Sequence, residues 1–123
     1  MEQEQYQKLY NDFMNNYTLG AVSGEQVGEI IARLAGSFPN YNNSAVYAEK
    51  TFAIVSKENA LLTDEQTGKP ISSAKAEVLS NATEEAFKFK IARAHVQNIE
   101  MLIGSLKFLQ KGLLTEYNQS NLS

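Results

Sequence analysis

The chain of 123 residues contains no cysteine and no tryptophan, and only two of its residues are proline. Without cysteine there are no disulfides, no thiolate metal ligands and no cysteine nucleophile. No run approaches the roughly eighteen apolar residues of a transmembrane helix, and the acidic start of the chain is unlike a signal peptide. These absences predict a soluble cytoplasmic protein without a membrane partner.

Composition and charge point to one globular domain with an uneven surface. Hydrophobic residues make up 43% and charged residues 20%, which suits a single folded domain over residues 1–123. Residues 1–65 carry nine acids and four bases, a balance of −5, whereas residues 86–115 carry five bases and one acid, a balance of +4. This asymmetry fits either an anionic partner or two halves of the chain that face each other.

The first half of the chain has the apolar spacing of helices, at every third or fourth residue. Ser23 and Gln26 have the spacing of a capping box at the start of a second helix. Gly36 and Pro39 are typical of residues that end one, and a third helix would follow the polar turn at 41–44. The sequence therefore predicts three short helices over 1–62 and a loop over 63–71.

Residues 72–118 have the spacing of one long helix, with a break near residue 81 left open because Asn81 and Glu84 resemble a helix start. A helix of about 45 residues would extend roughly 65 Å, more than the width of a domain of this size. We therefore expect an all-α helical bundle, with three shorter helices and one long C-terminal helix, packed in a homo-oligomer. The expected self-association stripe consists of Phe89, Val96, Ile99, Ile103, Leu106 and Leu113.

No residues form a recognisable catalytic or metal-binding pattern. His95 is the single histidine, and no acid lies three or four residues from it. Thr67-Gly68-Lys69-Pro70 lacks the first glycine and the final hydroxyl of a phosphate-binding loop. The carboxylate pairs Asp64-Glu65 and Glu84-Glu85 are more typical of a loop and of a helix N-terminus than of acid–base catalysis. The sequence predicts a protein that is not an enzyme and needs no cofactor or metal.

One face of the long helix is basic. Positive charges at suitable intervals can contact phosphates without reading the nucleotide sequence. A solvent-exposed helix face has the same appearance, so both interpretations stay open. The candidate nucleic-acid contacts are Lys88, Lys90, Arg93, Lys107 and Lys111.

The stretches Ser72–Glu77 and Lys90–Leu113 resemble small helical proteins that phages and prophages encode among their early genes. The resemblance rests on the general pattern of helical residues and not on a diagnostic motif, and it implies a protein acting in the host cytoplasm. The leading hypothesis is a self-associating binding protein in phage DNA metabolism. The alternative is an anti-defence inhibitor that binds a host protein, or a sponge for a nucleotide signal.

Overall fold

The computed structural model describes residues 4–18, 20 and 22–122, with side-chain surroundings as far as residue 116, and most of this part is helical. No strand forms in this part, and none of its helices is long and apolar enough to cross a membrane. The expected all-α fold, with three shorter helices and one long C-terminal helix, is confirmed. The elements are α1 (Gln5–Thr18), α2 (Gly24–Ala60), α3 (Ser73–Asn81) and α4 (Glu84–Leu122).

The start of α2 follows the predicted capping box. The Ser23 hydroxyl oxygen accepts a hydrogen bond from the Gln26 N–H at 3.3 Å, and the Ser23 N–H donates to the Gln26 side-chain oxygen at 2.8 Å. Just before it, Gly20 has a φ of 78°, a left-handed conformation that glycine adopts without strain. Gly20 thus lies in a turn between α1 and α2, and Leu19 and Ala21 lie outside the described residues.

The predicted end of the second helix is wrong, because α2 continues through Gly36, Pro39 and the expected turn at 41–44 to Ala60. Pro39 has no N–H to donate to the carbonyl of Ala35, which costs the helix one hydrogen bond. Helical packing on both sides of the proline outweighs that loss. The second and third short helices predicted for residues 1–62 are therefore one helix of 37 residues.

The predicted long helix over 72–118 is two helices, and the break left open near residue 81 is confirmed. Ser72 caps α3 by accepting the Lys75 N–H at 3.2 Å. The cap of α4 is Thr83, not Asn81: the Thr83 hydroxyl accepts the Ala86 N–H at 3.2 Å and donates to the Ser80 carbonyl at 2.7 Å. One side chain thereby satisfies backbone groups on both sides of the break.

The helices form two compact units, where one domain over 1–123 was predicted. Unit 1 contains the chain up to Pro39 and from Gln97 onward, and unit 2 is Asn40–Val96, so that α2 and α4 belong to both. The buried hydrophobic residues of unit 1 are Tyr6, Phe13, Val27, Leu34, Ile99 and Leu106. The buried residues of unit 2 are all small, namely Ala45, Ala76, Ser80 and Ala86.

Candidate binding surfaces

The predicted self-association stripe packs largely inside its own chain. Ile99 and Leu106 are buried in unit 1 with 0% and 1% of their surface exposed, so they are closed to a second copy. Phe89 stacks on Phe52 in unit 2, with ring centroids 5.9 Å apart. The other members, Val96, Ile103 and Leu113, are half-buried.

The length of the C-terminal helix no longer requires a second copy to cover it. The expectation of a partner depended on the absence of another helix in the chain long enough to pack along it. However, each unit supplies a segment of α2 alongside its segment of α4. The heptad stripe is therefore largely the chain's own packing face, and a surface for another copy has to lie outside its buried residues.

All five candidate nucleic-acid contacts are exposed, and they are divided between the two units. Lys90 and Arg93 lie in unit 2 and Lys107 and Lys111 in unit 1. Each of these pairs is three or four residues apart, so its two side chains share a helix face.

Two of the basic side chains have partners within α4. Lys88 points to a different side of the helix and pairs with Glu84 at 3.5 Å. The Lys90 ammonium lies 5.9 Å from the centroid of the Phe87 ring, within reach of a cation–π contact. Arg93, Lys107 and Lys111 form no ion pair with any side chain that the structure describes.

His95 packs against an aromatic ring. Its ring centroid lies 5.5 Å from that of Tyr41, at an interplanar angle of 52°, and both residues are half-buried in unit 2. Among the described residues, no group of three or more histidine, aspartate and glutamate side chains could hold a metal ion. The His95 ring therefore has a packing role in the structure.

The loop around Gly68 uses its backbone N–H groups internally. The Gly68 N–H donates to the Asp64 carbonyl at 2.8 Å, and the Asp64 carboxylate accepts the Gln66 N–H at 2.8 Å. The Lys69 N–H donates to the Thr67 hydroxyl oxygen at 3.3 Å. Because the loop engages these donors itself, they do not form the cradle of free amides that a phosphate requires.

Unit 2 leaves its large apolar side chains at the surface. Tyr47 on α2 and Leu61, directly after the end of α2, are each 73% exposed, and Ile54 lies between them at the same seven-residue spacing. Large apolar side chains that adjoin one another at a protein surface mark interaction sites. The exposed set in this unit is Val46, Tyr47, Ile54, Leu61, Leu62, Val78, Leu79, Phe87 and Ile91.

Unit 1 carries an apolar groove between α1 and α4 with a volume of about 390 Å³. Tyr10, Met14 and Tyr17 line it from α1, and Phe108 stands on its α4 side with 82% of its surface exposed. Tyr10 also lines an adjoining groove of about 360 Å³, which Met101 borders. This side of unit 1 is concave, aromatic and almost free of charge.

A smaller groove of about 210 Å³ lies between α1 and α2 in the same unit. Arg33 is the cation among its lining residues, and its guanidinium already donates to Glu29 at 3.1 Å. Asp12 adds a second acid to the lining. An anionic nucleotide would meet more negative than positive charge there.

The exposed face of α4 was missed by the sequence reasoning, although a signal exists. Phe87, Ala94, Met101 and Phe108 are spaced by sevens and form a second heptad stripe beside the buried one. Small or polar residues such as Ser105 and Gly112 occupy the alternate positions of this stripe. They make its mean hydropathy low, so the fully apolar stripe dominates the pattern.

Comparison of the chain with protein-family models, with curated proteins and with solved structures finds no match. Function therefore has to be argued from the surfaces described above.

Proposed function

We propose that this protein is a non-enzymatic, self-associating helical binding protein. The observation that carries the proposal is the exposure of large apolar side chains on both units, above all Tyr47, Leu61 and Phe108. Covering each such side chain is worth about 1.5–3 kcal/mol, which provides a strong driving force for association.

Several features agree with a binding role and give no support to catalysis. The Asp64 carboxylate accepts a hydrogen bond within its own loop, and Glu84 pairs with Lys88. One carboxylate of each acidic pair therefore already has a structural role. The two larger grooves of unit 1 are lined mainly by apolar and neutral side chains. Such surfaces are typical of sites that bind other polypeptides.

Light scattering over a range of protein concentrations tests the proposal. We expect particles of more than one chain, with a mass that rises with concentration. Because apolar contacts drive it, the association should persist in about 1 M salt, where charge pairs are screened beyond roughly 3 Å. A single-chain mass at every concentration would contradict the proposal.

Contact with nucleic acid is a second candidate, and one observation favours it. Arg93, Lys107 and Lys111 are exposed and form no ion pair with a described side chain, so phosphates could reach them. Phosphate contacts of this kind would bind single or double strands without sequence preference and weaken steeply with salt.

Fluorescence anisotropy of labelled DNA across a salt series tests the second candidate. Replacing Arg93 and Lys107 with glutamate should abolish binding. The matched control replaces Lys50 and Lys57, two exposed lysines of α2, and changes the net charge equally. Equal losses in the two variants would show a general charge effect and remove the α4 face from consideration.

The phage setting and the anti-defence or nucleotide-sponge role stay predictions from the sequence. The groove beside Arg33 does not favour a nucleotide, because that guanidinium is already paired with Glu29. A host protein would be held by the same exposed apolar faces that we propose for self-association.

A further inference from the structure

The break between α3 and α4 contains no residue that prevents a helix. Its two residues, Ala82 and Thr83, are neither glycine nor proline, and Ala82 has a φ of −88° and a ψ of −1°, close to the right-handed helical region. The Ala82 N–H donates to the Leu79 carbonyl at 3.3 Å, and the Thr83 N–H donates to the Ser80 carbonyl at 3.2 Å. The local sequence therefore permits an uninterrupted helix, and the cause of the break has to lie elsewhere in unit 2.

Contacts with α2 on both sides of the break impose it. The Asn59 side-chain amide of α2 donates to the Ser80 hydroxyl oxygen of α3 at 3.0 Å, and Ser80 is only 3% exposed. Phe89 of α4 stacks on Phe52 of α2. Asn59 and Phe52 are seven residues apart, about two turns, so they share one face of α2. Ser80 and Phe89 therefore both pack on this face.

An uninterrupted helix could not make both contacts. Ser80 and Phe89 are nine residues apart, which is two and a half turns and places them on opposite sides of a straight helix. Ser80 would instead share its side with Phe87 and Ile91, seven and eleven residues later. In the structure Ser80 is buried, whereas Phe87 and Ile91 are each 58% exposed. The inward side of α3 is thus the outward side of α4, and the two contacts with α2 coexist only because the chain bends.

We infer that the break is a hinge and that the Asn59–Ser80 hydrogen bond is the latch that keeps it bent. When the latch opens, α3 leaves α2 and joins α4 in one uninterrupted helix, while Phe89 keeps its contact. Val78, now 68% exposed, then lies on the same side as Phe89 and extends the apolar side of α4 that faces α2. The hinge gives unit 2 two arrangements, with the surface around Asn59 covered in one and open in the other.

The connection from α2 to α3 is long enough for the straight arrangement. The order of the two contacts makes α4 run antiparallel to α2. On a straight helix Ser73 would lie roughly 24 Å before Phe89, whereas α2 ends at Ala60, roughly 12 Å beyond Phe52. The remaining gap of roughly 12 Å is well within the reach of residues 61–72, which span up to about 40 Å when extended.

Distances between spin labels at Lys75→Cys and Arg93→Cys test the hinge. Both positions are exposed, and the chain has no cysteine of its own. They are five full turns apart, so on an uninterrupted helix the labels share one side at a separation of roughly 27 Å. The bent form gives a shorter distance, because the chain turns at Thr83. Dilution with unlabelled protein restricts the measurement by double electron–electron resonance to distances within one chain.

Removing the latch should increase the straight population. Asn59→Ala and Ser80→Ala should each raise the ratio of the long to the short distance about tenfold, the effect of one buried hydrogen bond. The double variant should go no further, because both changes remove the same bond. Glu58→Ala, at an exposed neighbour on α2, is the control without effect. Ala82→Gly added to Asn59→Ala should lower the ratio about fivefold, because glycine disfavours an uninterrupted helix.

Circular dichroism distinguishes opening of the hinge from unfolding of α3, because the straight form adds helical residues and unfolding removes them. A distance of roughly 27 Å in both latch variants, reduced by Ala82→Gly and accompanied by undiminished helicity, supports the hinge. Its absence from both variants, or a broad distribution with lost helicity, overturns it. Either of these results leaves the proposed self-association standing, since the hinge lies within one chain and does not depend on a second copy.

Discussion

The two units of this protein bury side chains of different size. Unit 1 buries aromatic and branched side chains, with Val27, Leu34 and Ile99 completely enclosed. Unit 2 buries alanines and one serine, and turns residues such as Tyr47 and Phe87 outward. Because α2 and α4 belong to both units, helix length and propensity do not cause the difference. It arises from which residues point inward.

The two units should therefore tolerate different substitutions of their buried side chains. A core of large residues loses contacts when a side chain is shortened, whereas helices separated by alanines lose their fit when a side chain is lengthened. Unit 1 should therefore be sensitive to truncation and unit 2 to enlargement.

The largest effect is expected for Leu34→Ala in unit 1. Leu34 is fully buried, so its truncation leaves a cavity and should lower the free energy of unfolding by about 3 kcal/mol. Urea denaturation followed by circular dichroism measures the change. Ile54→Ala is the matched control on the same helix in unit 2, and because Ile54 is exposed its effect should stay within about 0.5 kcal/mol. Equal losses would refute the difference between the units.

Enlargement in unit 2 should come next. Ala86 is 2% exposed, so Ala86→Leu forces neighbouring helices apart and should cost about 2 kcal/mol. The control is Ala94→Leu, at an exposed position of the same helix and unit, which should cost nothing measurable. Tolerance of leucine at residue 86 would show that unit 2 has more internal space than its buried alanines imply.

Local signals in the sequence predicted much of this fold. The capping box at Ser23 and the loop before Pro70 both depend on neighbouring residues, and each is present in the structure. The all-α class followed from apolar spacing, which is also a local property.

The errors arose where packing between distant segments decides the outcome. Pro39 is a strong local stop signal, yet α2 passes through it, and the helix is packed both before the proline at Leu34 and after it at Ala45. The buried heptad stripe was assigned to self-association because spacing alone does not identify the partner of a helix face. The exposed stripe with Phe108 was missed because its small residues lower its mean hydropathy, so the fully apolar stripe dominates the pattern.

A loss of about 1 kcal/mol is expected when either N-cap hydroxyl is removed, Ser23 in unit 1 or Thr83 in unit 2. Thr83→Ala has the wider consequence, because this hydroxyl also bonds the end of α3. Hydrogen exchange measured by mass spectrometry should show faster exchange on both sides of the break in Thr83→Ala, but only at the start of α2 in Ser23→Ala. Thr83→Ser keeps the hydroxyl and should restore protection. Faster exchange in Thr83→Ser as well would assign the effect to the methyl group instead.

The smallest expected effect concerns surface charge. It tests whether the units differ in anything besides the size of their buried side chains. Among the described residues, each unit has one ion pair with four-residue spacing, Glu29–Arg33 at 3.1 Å in unit 1 and Glu84–Lys88 at 3.5 Å in unit 2. All four side chains are at least 60% exposed, so each pair should contribute only about 0.3–0.5 kcal/mol, and less as salt is added. Arg33→Gln and Lys88→Gln should therefore destabilise the protein by the same small amount in urea denaturation, and the difference from wild type should shrink in high salt. A markedly larger loss for Lys88→Gln would mean that unit 2, with its small buried residues, depends on surface charge in a way that unit 1 does not.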